Sequence, residues 1–338
     1  MDKEYRDLGI EIILRKDNMA AIKRLEELQA EARENAVVIL KSMDEDSSGG
    51  QDEWLSRYNP LLSDTQLTKW PESKEWVETL KAEFPWMESI IDKIERQSAM
   101  SIRMGYRPFK IHPILLVGKP GIGKTHFLRR LSEVLSAPTV FLELAGSSDN
   151  LTLKGISRNF THSRPGILLD TMLEHKTANP LVILDEIDKV SESQIHGRIW
   201  ETVLSMIEPS SSQKILDECL RGEVDYSHVN WLATANEISN LPAPLRSRFS
   251  VIKVDTPKEK DYDVVFRNII KTIAVKYKTS EEFIPAIDAS INNKLRERFK
   301  KNHLSLRNMV KVINELIEIE ISAEESKIRQ LKKQRRLH

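Results

Sequence analysis

The residues best placed to do chemistry begin at "GKPGIGKT", positions 118–125. The pattern is G-x-x-x-x-G-K-[ST], and it directly follows the apolar run "PILLV". Glycines at Gly118, Gly121 and Gly123, with Pro120 between, let backbone N–H groups converge on phosphate oxygens. The helical pattern "HFLRRLSEVL" that follows sets a positive dipole end at the same place. Lys124 is then placed to reach β/γ phosphates, and Thr125 to put its hydroxyl on Mg²⁺. A second cluster closes the run "LVILDEIDK", where four apolar residues carry Asp185 and Glu186 to a strand end. Asp185 is expected to hold the same Mg²⁺, and Glu186 to orient and deprotonate an attacking water. Together the two clusters form a site for hydrolysing a nucleoside triphosphate, with ATP and Mg²⁺ as the expected cofactors. The run "LATAN" ends in Asn236, a candidate contact for that water or the γ-phosphate, although Asn after a strand is also a common turn residue. "LPAPLRSRF" supplies Arg246 and Arg248, which lie far along the chain and suit a neighbouring subunit's phosphates or a surface ion pair.

The elements that must position these groups follow from periodicity. "HPILLVG", "TVFLELA", "LVILDEI", "NWLATAN" and "SVIKVD" are short apolar runs separated by segments long enough for helices. That alternation predicts an α/β domain, a parallel sheet flanked by helices, over 76–257. After Pro257 the strands stop, and 259–277, 288–300 and 305–330 predict a small helical lid domain over 258–338. Residues 19–43 carry apolar groups at 22, 25, 28, 32, 36, 39 and 43, the spacing of one helix face. The acidic stretch 44–53 reads as a linker, so 1–75 is expected to be a helical, coiled-coil-like N-terminal region. Trp54, Trp70, Trp76 and Trp86 cluster beside it and favour packing over partner docking.

Bulk properties narrow the classes. The 338 residues are 40% hydrophobic and 30% charged, with 51 basic and 51 acidic side chains, so no global field draws the chain to nucleic acid or membrane. Only the terminal "KIRQLKKQRRLH" is locally basic, as a solvated helix end often is. The lone Cys219 excludes an internal disulfide and fits a reducing compartment. No apolar run reaches membrane-spanning length and the N-terminus is unlike a signal peptide, so the cytoplasm is the expected location.

These motifs together resemble the AAA+ ATPases, and within them the ATPase module of the Lon protease family, over about 80–325. "NPLVILDEIDK" and "DECLRGEVDYSHVNWLATANEISNLPAPLRSRFSVIKV" resemble Lon's second phosphate motif through its arginine-finger region. Where Lon tends to read "PLLDRMEVI", this chain reads "PLRSRFSVI", which implies Arg248 as the finger acting in trans and Arg246 as runner-up. "HLSLRNMVKVI" resembles the lid stretch that carries Arg307 as a γ-phosphate sensor. "SRNFTHSRPGILLD" resembles the loop that grips substrate in Lon's central pore, placing Phe160 on the aromatic position. Thr161 and His162 depart from the family's aliphatic and glycine neighbours, a loss of apolar grip and of flexibility.

The resemblance implies a homo-oligomeric ring, hexameric by kinship, that threads or remodels a polypeptide client. Only residues 308–338 follow Arg307, too few for a proteolytic domain of on the order of 50 residues or more. The expectation is therefore an ATPase that is not itself a protease, working alone or with a separate protease or nuclease effector. The competing reading is an AAA+ switch or loader on nucleic acid, which predicts steeply salt-dependent DNA affinity. Weak, non-specific DNA binding at physiological salt removes it.

Overall fold

In a computed structural model, the structure describes residues 36–41, 53–144, 151–190, 199–301 and 305–335. The chain first forms a short antiparallel pair, β1 (Ala36–Val37) with β2 (Thr65–Gln66), joined through a 3-10 segment, Glu53–Leu62. Helices α1 (Glu75–Glu83) and α2 (Glu88–Arg103) lead to β3 (Ile114–Val117), and α3 (Lys124–Val134) follows the glycine-rich loop. Next come β4 (Thr139–Glu143), α4 (Leu151–Lys154), α5 (Ile167–His175), β5 (Leu181–Asp185) and α6 (Ile199–Ile207). A hairpin, β6 (Ile215–Asp217) with β7 (Gly222–Val224), precedes β8 (Asn230–Ala235), α7 (Ala243–Arg248) and β9 (Ser250–Lys253). Helices α8 (Tyr262–Lys276), α9 (Ala289–Lys300) and α10 (Leu306–Arg335) complete the described chain. Among the described residues no helix is long and apolar enough to cross a membrane.

Five strands form one parallel sheet in the order β4-β5-β8-β3-β9. All four residues of β3 and all six of β8 are buried, because helices cover both faces of the central strands. The edge strand β9 alternates half-buried and exposed residues instead. Alternation sorts the side chains: Leu115, Val117, Val182, Leu184 and Ala233 enter one core. Ile114, Leu116, Leu181, Ile183 and Leu232 enter the other. A third, separate core in the lid gathers Tyr262, Ile269, Phe299, Met309 and Ile313. From β3 the chain crosses to β4 at the far edge, while β8 returns beside β3. That reversal opens a crevice at the carboxyl ends of β3 and β8.

The helix expected over 19–43 does not extend through 36–41. Ala36 and Val37 pair with Gln66 and Thr65, and Leu40 bridges Val224. Leu40 N donates to Leu61 O at 2.9 Å, and Lys41 N to Glu223 O at 2.9 Å. Extended backbone wins because it buries Ile39 and Leu40 completely, and the β-branched run Val37–Ile39 suits a strand. The remainder of that helix, and the acidic linker through residue 52, lie outside the described residues. Packing also runs across position 75. Leu55, Tyr58 and Leu61 belong to one sheet core, and Trp70 and Trp76, stacked at 6.3 Å between ring centroids, belong to the other.

The amino-terminal end of the sheet is tied by two buried amides. Asn179 Oδ1 accepts from Thr68 N at 2.7 Å and from Thr177 Oγ1 at 2.9 Å. Its Nδ2 donates to Thr68 O at 2.9 Å and Phe109 O at 2.8 Å. Asn230 Oδ1 accepts from Ile111 N at 2.7 Å, and its Nδ2 donates to Asn179 O at 3.0 Å. Stranding a buried backbone group costs roughly 1–3 kcal/mol. Asn179→Ala removes four hydrogen bonds, three of them to backbone groups that each keep one other partner, and is expected to lower unfolding stability by about 2 kcal/mol, read from the urea midpoint.

Candidate functional site

The glycine-rich loop leaves β3 at the crevice. A Cβ on Gly118 would lie 2.6 Å from Val254 O, so only glycine lets the loop pass under β9. Gly123, at φ +93°, occupies the position before α3 in a left-handed conformation that L side chains resist. The next residue, Lys124, is only 7% exposed although it carries a charge. Its Nζ donates to Gly118 O at 2.7 Å, Lys119 O at 3.1 Å and Asn236 Oδ1 at 3.0 Å. Burial lowers its pKa, and the carboxylates of Asp188, Asp185 and Glu186 act in the opposite sense.

At the end of β5, Asp185 Oδ1 accepts from Thr125 Oγ1 at 2.7 Å and from Thr234 Oγ1 at 2.6 Å. Thr234 Oγ1 in turn accepts from Glu186 N at 3.0 Å. The sheet thus sets the first turn of α3, β5 and β8 around one carboxylate oxygen. Paired hydroxyl and carboxylate oxygens suit a hard divalent cation such as Mg²⁺, which takes few protein ligands and retains phosphate and water. Thr125 and Asp185 fit that ion. Glu186 sits at φ +53°, a left-handed conformation held by the Thr234 bond. Lys189 pairs with Glu186 Oε1 at 2.8 Å. That pairing, with smaller contributions from Asn236 and Arg307, holds the Glu186 carboxyl below its usual range, so it is an anion at neutral pH.

Asp188 was not selected by sequence reasoning, yet its Oδ2 accepts from Asn236 N and Glu237 N, each at 3.0 Å. It fixes the turn that presents Asn236. Its Oδ1 is buried without a partner among the described residues.

The lid closes over the loop. Leu306 N, at the start of α10, donates to Gly121 O at 3.0 Å, and Trp86 Nε1 donates to Ile122 O at 3.2 Å. Between loop and lid lies a cavity of about 290 Å³. Pro120, Gly121, Gly123, Lys124, Thr125, Glu186, Asn236 and Arg307 line its polar part. Phe84, Trp86, Ile269, Ile273 and Val310 line its apolar part. The structure therefore brings together Lys124, Thr125, Glu186, Asn236 and Arg307, with Asp185 bonded to Thr125.

Arg246 and Arg248 stand apart, on α7. Neither lines the cavity, and Arg248 is ion-paired with Glu208 of the same chain. Phe160, Thr161 and His162 stand apart as well. Ile156 and Arg164 pair through N–H···O bonds of 2.7 and 3.3 Å, and the intervening residues form a tight loop. All three residues are exposed at its tip, Phe160 to 65%. Two side chains brace the base of this loop against the β6–β7 hairpin. Arg158 donates to Cys219 O at 2.7 Å and to Leu220 O at 3.1 Å. Asp217 accepts from Gly166 N at 2.8 Å, Cys219 N at 3.0 Å and Leu220 N at 2.8 Å. Burial pushes its carboxyl up to about 6 against the pull of those three N–H groups. Cys219 is fully buried in the same turn.

Residues 114–255 match the family model described as "ATPase family associated with various cellular activities (AAA)". The chain is 37% identical over 149 residues to a Lon protease of Campylobacter jejuni, covering 44% of this chain and 19% of that one. It is 34% identical over 193 residues to a Lon protease of Halothermothrix orenii, covering 56% and 24%. A mitochondrial Lon protease homolog of Candida dubliniensis is 29% identical over 204 residues, covering 60% and 19%. The chain thus spans about a fifth of the length of these relatives, and the matches fall in their AAA region. A closed-state cryo-EM reconstruction of Hsp104 with ATPγS and FITC-casein shares the fold, with TM-score 0.56, 17% identity, and coverage of 76% of this chain and 48% of that one. The chain carries an AAA domain, related in sequence to the ATPase region of Lon proteases.

Replacing Asp217 by Asn keeps one acceptor and turns an N–H₂ toward backbone donors. We expect Asp217→Asn to lower stability by roughly 1–3 kcal/mol and to expose the 156–164 loop to limited proteolysis.

Proposed function

We propose that this AAA domain hydrolyses ATP within a ring of its own copies, six by kinship, and uses the cycle to draw a polypeptide past Phe160. The observation that carries the reading is the separation of two sites on one rigid sheet. Thr125, Asp185, Glu186, Asn236 and Arg307 converge on one cavity, and Phe160 is presented on a braced loop elsewhere. Related sequence in Lon proteases, and a shared fold with a reconstruction containing casein, support a polypeptide as client.

In this reading the N–H groups of 121–125 and the amino end of α3 receive the β and γ phosphates. Lys124 exchanges the carbonyls of Gly118 and Lys119 for phosphate oxygens. Thr125 and Asp185 hold Mg²⁺, which neutralises charge on the triphosphate. Glu186 accepts a proton from the water that attacks the γ-phosphorus as the bond to the β-phosphate oxygen breaks, leaving ADP and phosphate. Asn236 and Arg307 bond the γ-phosphate oxygens from the sheet and the lid, so loss of phosphate is felt by both. Arg248 leaves Glu208 for the neighbouring copy's γ-phosphate, with Arg246 as the alternate. The threaded client is handed to a separate protease or nuclease, or remodelling is itself the outcome.

Glu186→Gln is expected to bind ATP and lower turnover by about 10²-fold or more. Unfolded casein is expected to stimulate ATP turnover, and Phe160→Ala to remove that stimulation while basal turnover stays within about twofold. Equal stimulation of the two proteins would overturn the threading role.

A further inference from the structure

The loop from Ile156 to Arg164 is closed by the bonds between its ends, and folded further by two within it. Phe160 N donates to Ser157 O at 3.0 Å, and Ser163 N to Phe160 O at 3.2 Å. Phe160, Thr161, His162 and Arg164 are exposed. Arg164 lies four positions from Phe160, at most about 14 Å of extended chain and less once those turns fold it. The ring and the guanidinium are therefore within reach of one short polypeptide segment.

Charge in this region is one-sided. Residues 151–169 hold Lys154, Arg158, His162 and Arg164 and no carboxylate, although 51 of the 338 residues are acidic. Arg158 is spent on the carbonyls of Cys219 and Leu220. Arg164 has no ion pair among the described residues. The carboxylates of neighbouring elements are placed elsewhere. Asp170 is bonded to Arg57 and Tyr58, and Asp217 is buried under three backbone N–H groups. Glu218, exposed on the hairpin, is set beside Lys154 by Glu218 N–Lys154 O at 2.9 Å.

A guanidinium left unpaired near an exposed ring suits one kind of ligand. It forms a forked, charge-assisted pair with a carboxylate, while the ring covers an apolar neighbour of that carboxylate. His162 can add an imidazole N–H. A segment rich in Lys or Arg meets like charge and gives the guanidinium nothing to bond. Phosphate would satisfy the cation too. Yet one unpaired guanidinium per loop, among the described residues, makes no continuous basic track for a nucleic-acid strand.

We propose that Arg164, together with Phe160, makes this loop select polypeptide segments in which carboxylate side chains stand among apolar ones, and reject basic segments. It rests on reading the loop as the client grip. Around a ring the contact recurs in every copy, so a small preference at one loop is multiplied along the client.

The test measures binding of short fluorescent peptides to the full chain with ATPγS, by anisotropy. The peptides share a Phe, Gly and Ser framework with amidated ends, and carry Glu, Gln or Lys at every variable position. Wild type is expected to hold the Glu peptide about fivefold or more tighter than the Lys peptide, with Gln between. That ratio should fall toward one at about 0.5 M salt. Arg164→Met should bring the low-salt ratio near one, and Arg164→Glu should invert it. Arg103→Met removes the same charge from the exposed end of α2 and should leave the ratio intact. A wild-type ratio near one, a ratio unmoved by both Arg164 variants, or an equal loss in Arg103→Met would overturn the proposal. So would a preference seen only for a free terminal carboxylate on the Gln peptide, or displacement of the Glu peptide by oligo-dT. Peptide binding without stimulation of ATP turnover would overturn the threading role and leave the preference standing. Binding of no peptide would overturn both.

Discussion

A lysine ammonium that is 7% exposed must be supplied with acceptors by the fold, because water cannot reach it in number. Lys124 receives them from the end of β3, from the loop, and from Asn236 at the end of β8. Those three places meet only because β8 inserts between β5 and β3, at the point where the strand order reverses. The remaining constraints follow from the same meeting. Asp188 is needed to fix Asn236, and Thr234 to hold both Asp185 and the backbone of Glu186. The sheet order and the site chemistry are one requirement seen at two scales.

The lid adds a second dependence. Its helices have a core of their own, so it holds shape as a unit. It touches the nucleotide loop through backbone at Leu306–Gly121, and the end of α1 through the Asn268 side chain on Glu83 O. Trp86 packs against both the sheet core and the lid core, so the volume between loop and lid is set by these hydrogen bonds together with an apolar contact. A ligand filling that volume joins two separately packed bodies.

Groups whose chemistry is declared by near neighbours in the chain were legible from sequence. The glycine spacing, Lys124 and Thr125 form one contiguous signature, and Asp185 and Glu186 close an unmistakable buried strand. The five sheet strands were legible for the same reason, since each is a short apolar run. What could not be read was set by partners far away in sequence. Asp188 looks like one more acid after Glu186 until Asn236 N bonds to it across 48 positions. Asp217 belongs to a strand of three residues, too short for periodicity to register. Asn268 sits in a helical run with nothing local to distinguish it, and Glu83 gives it meaning across 185 positions. Residues 36–41 were misread because apolar steps of three and four describe a helix face, whereas an available strand partner at 65–66 decided the outcome.

The bracing of the Phe160 loop carries a mechanical consequence. A push on the exposed ring is not absorbed by bending, because Arg158 and Asp217 pin the base of the loop to the backbone of the β6–β7 turn. From β7 the path continues through the Val224–Leu40 bridge into the segment that follows β1, and from Leu40 through Leu61 to β2. The loop is thus tied by a continuous chain of hydrogen bonds to the segment 36–41. The amino-terminal segment is a structural abutment, the masonry against which the loop bears.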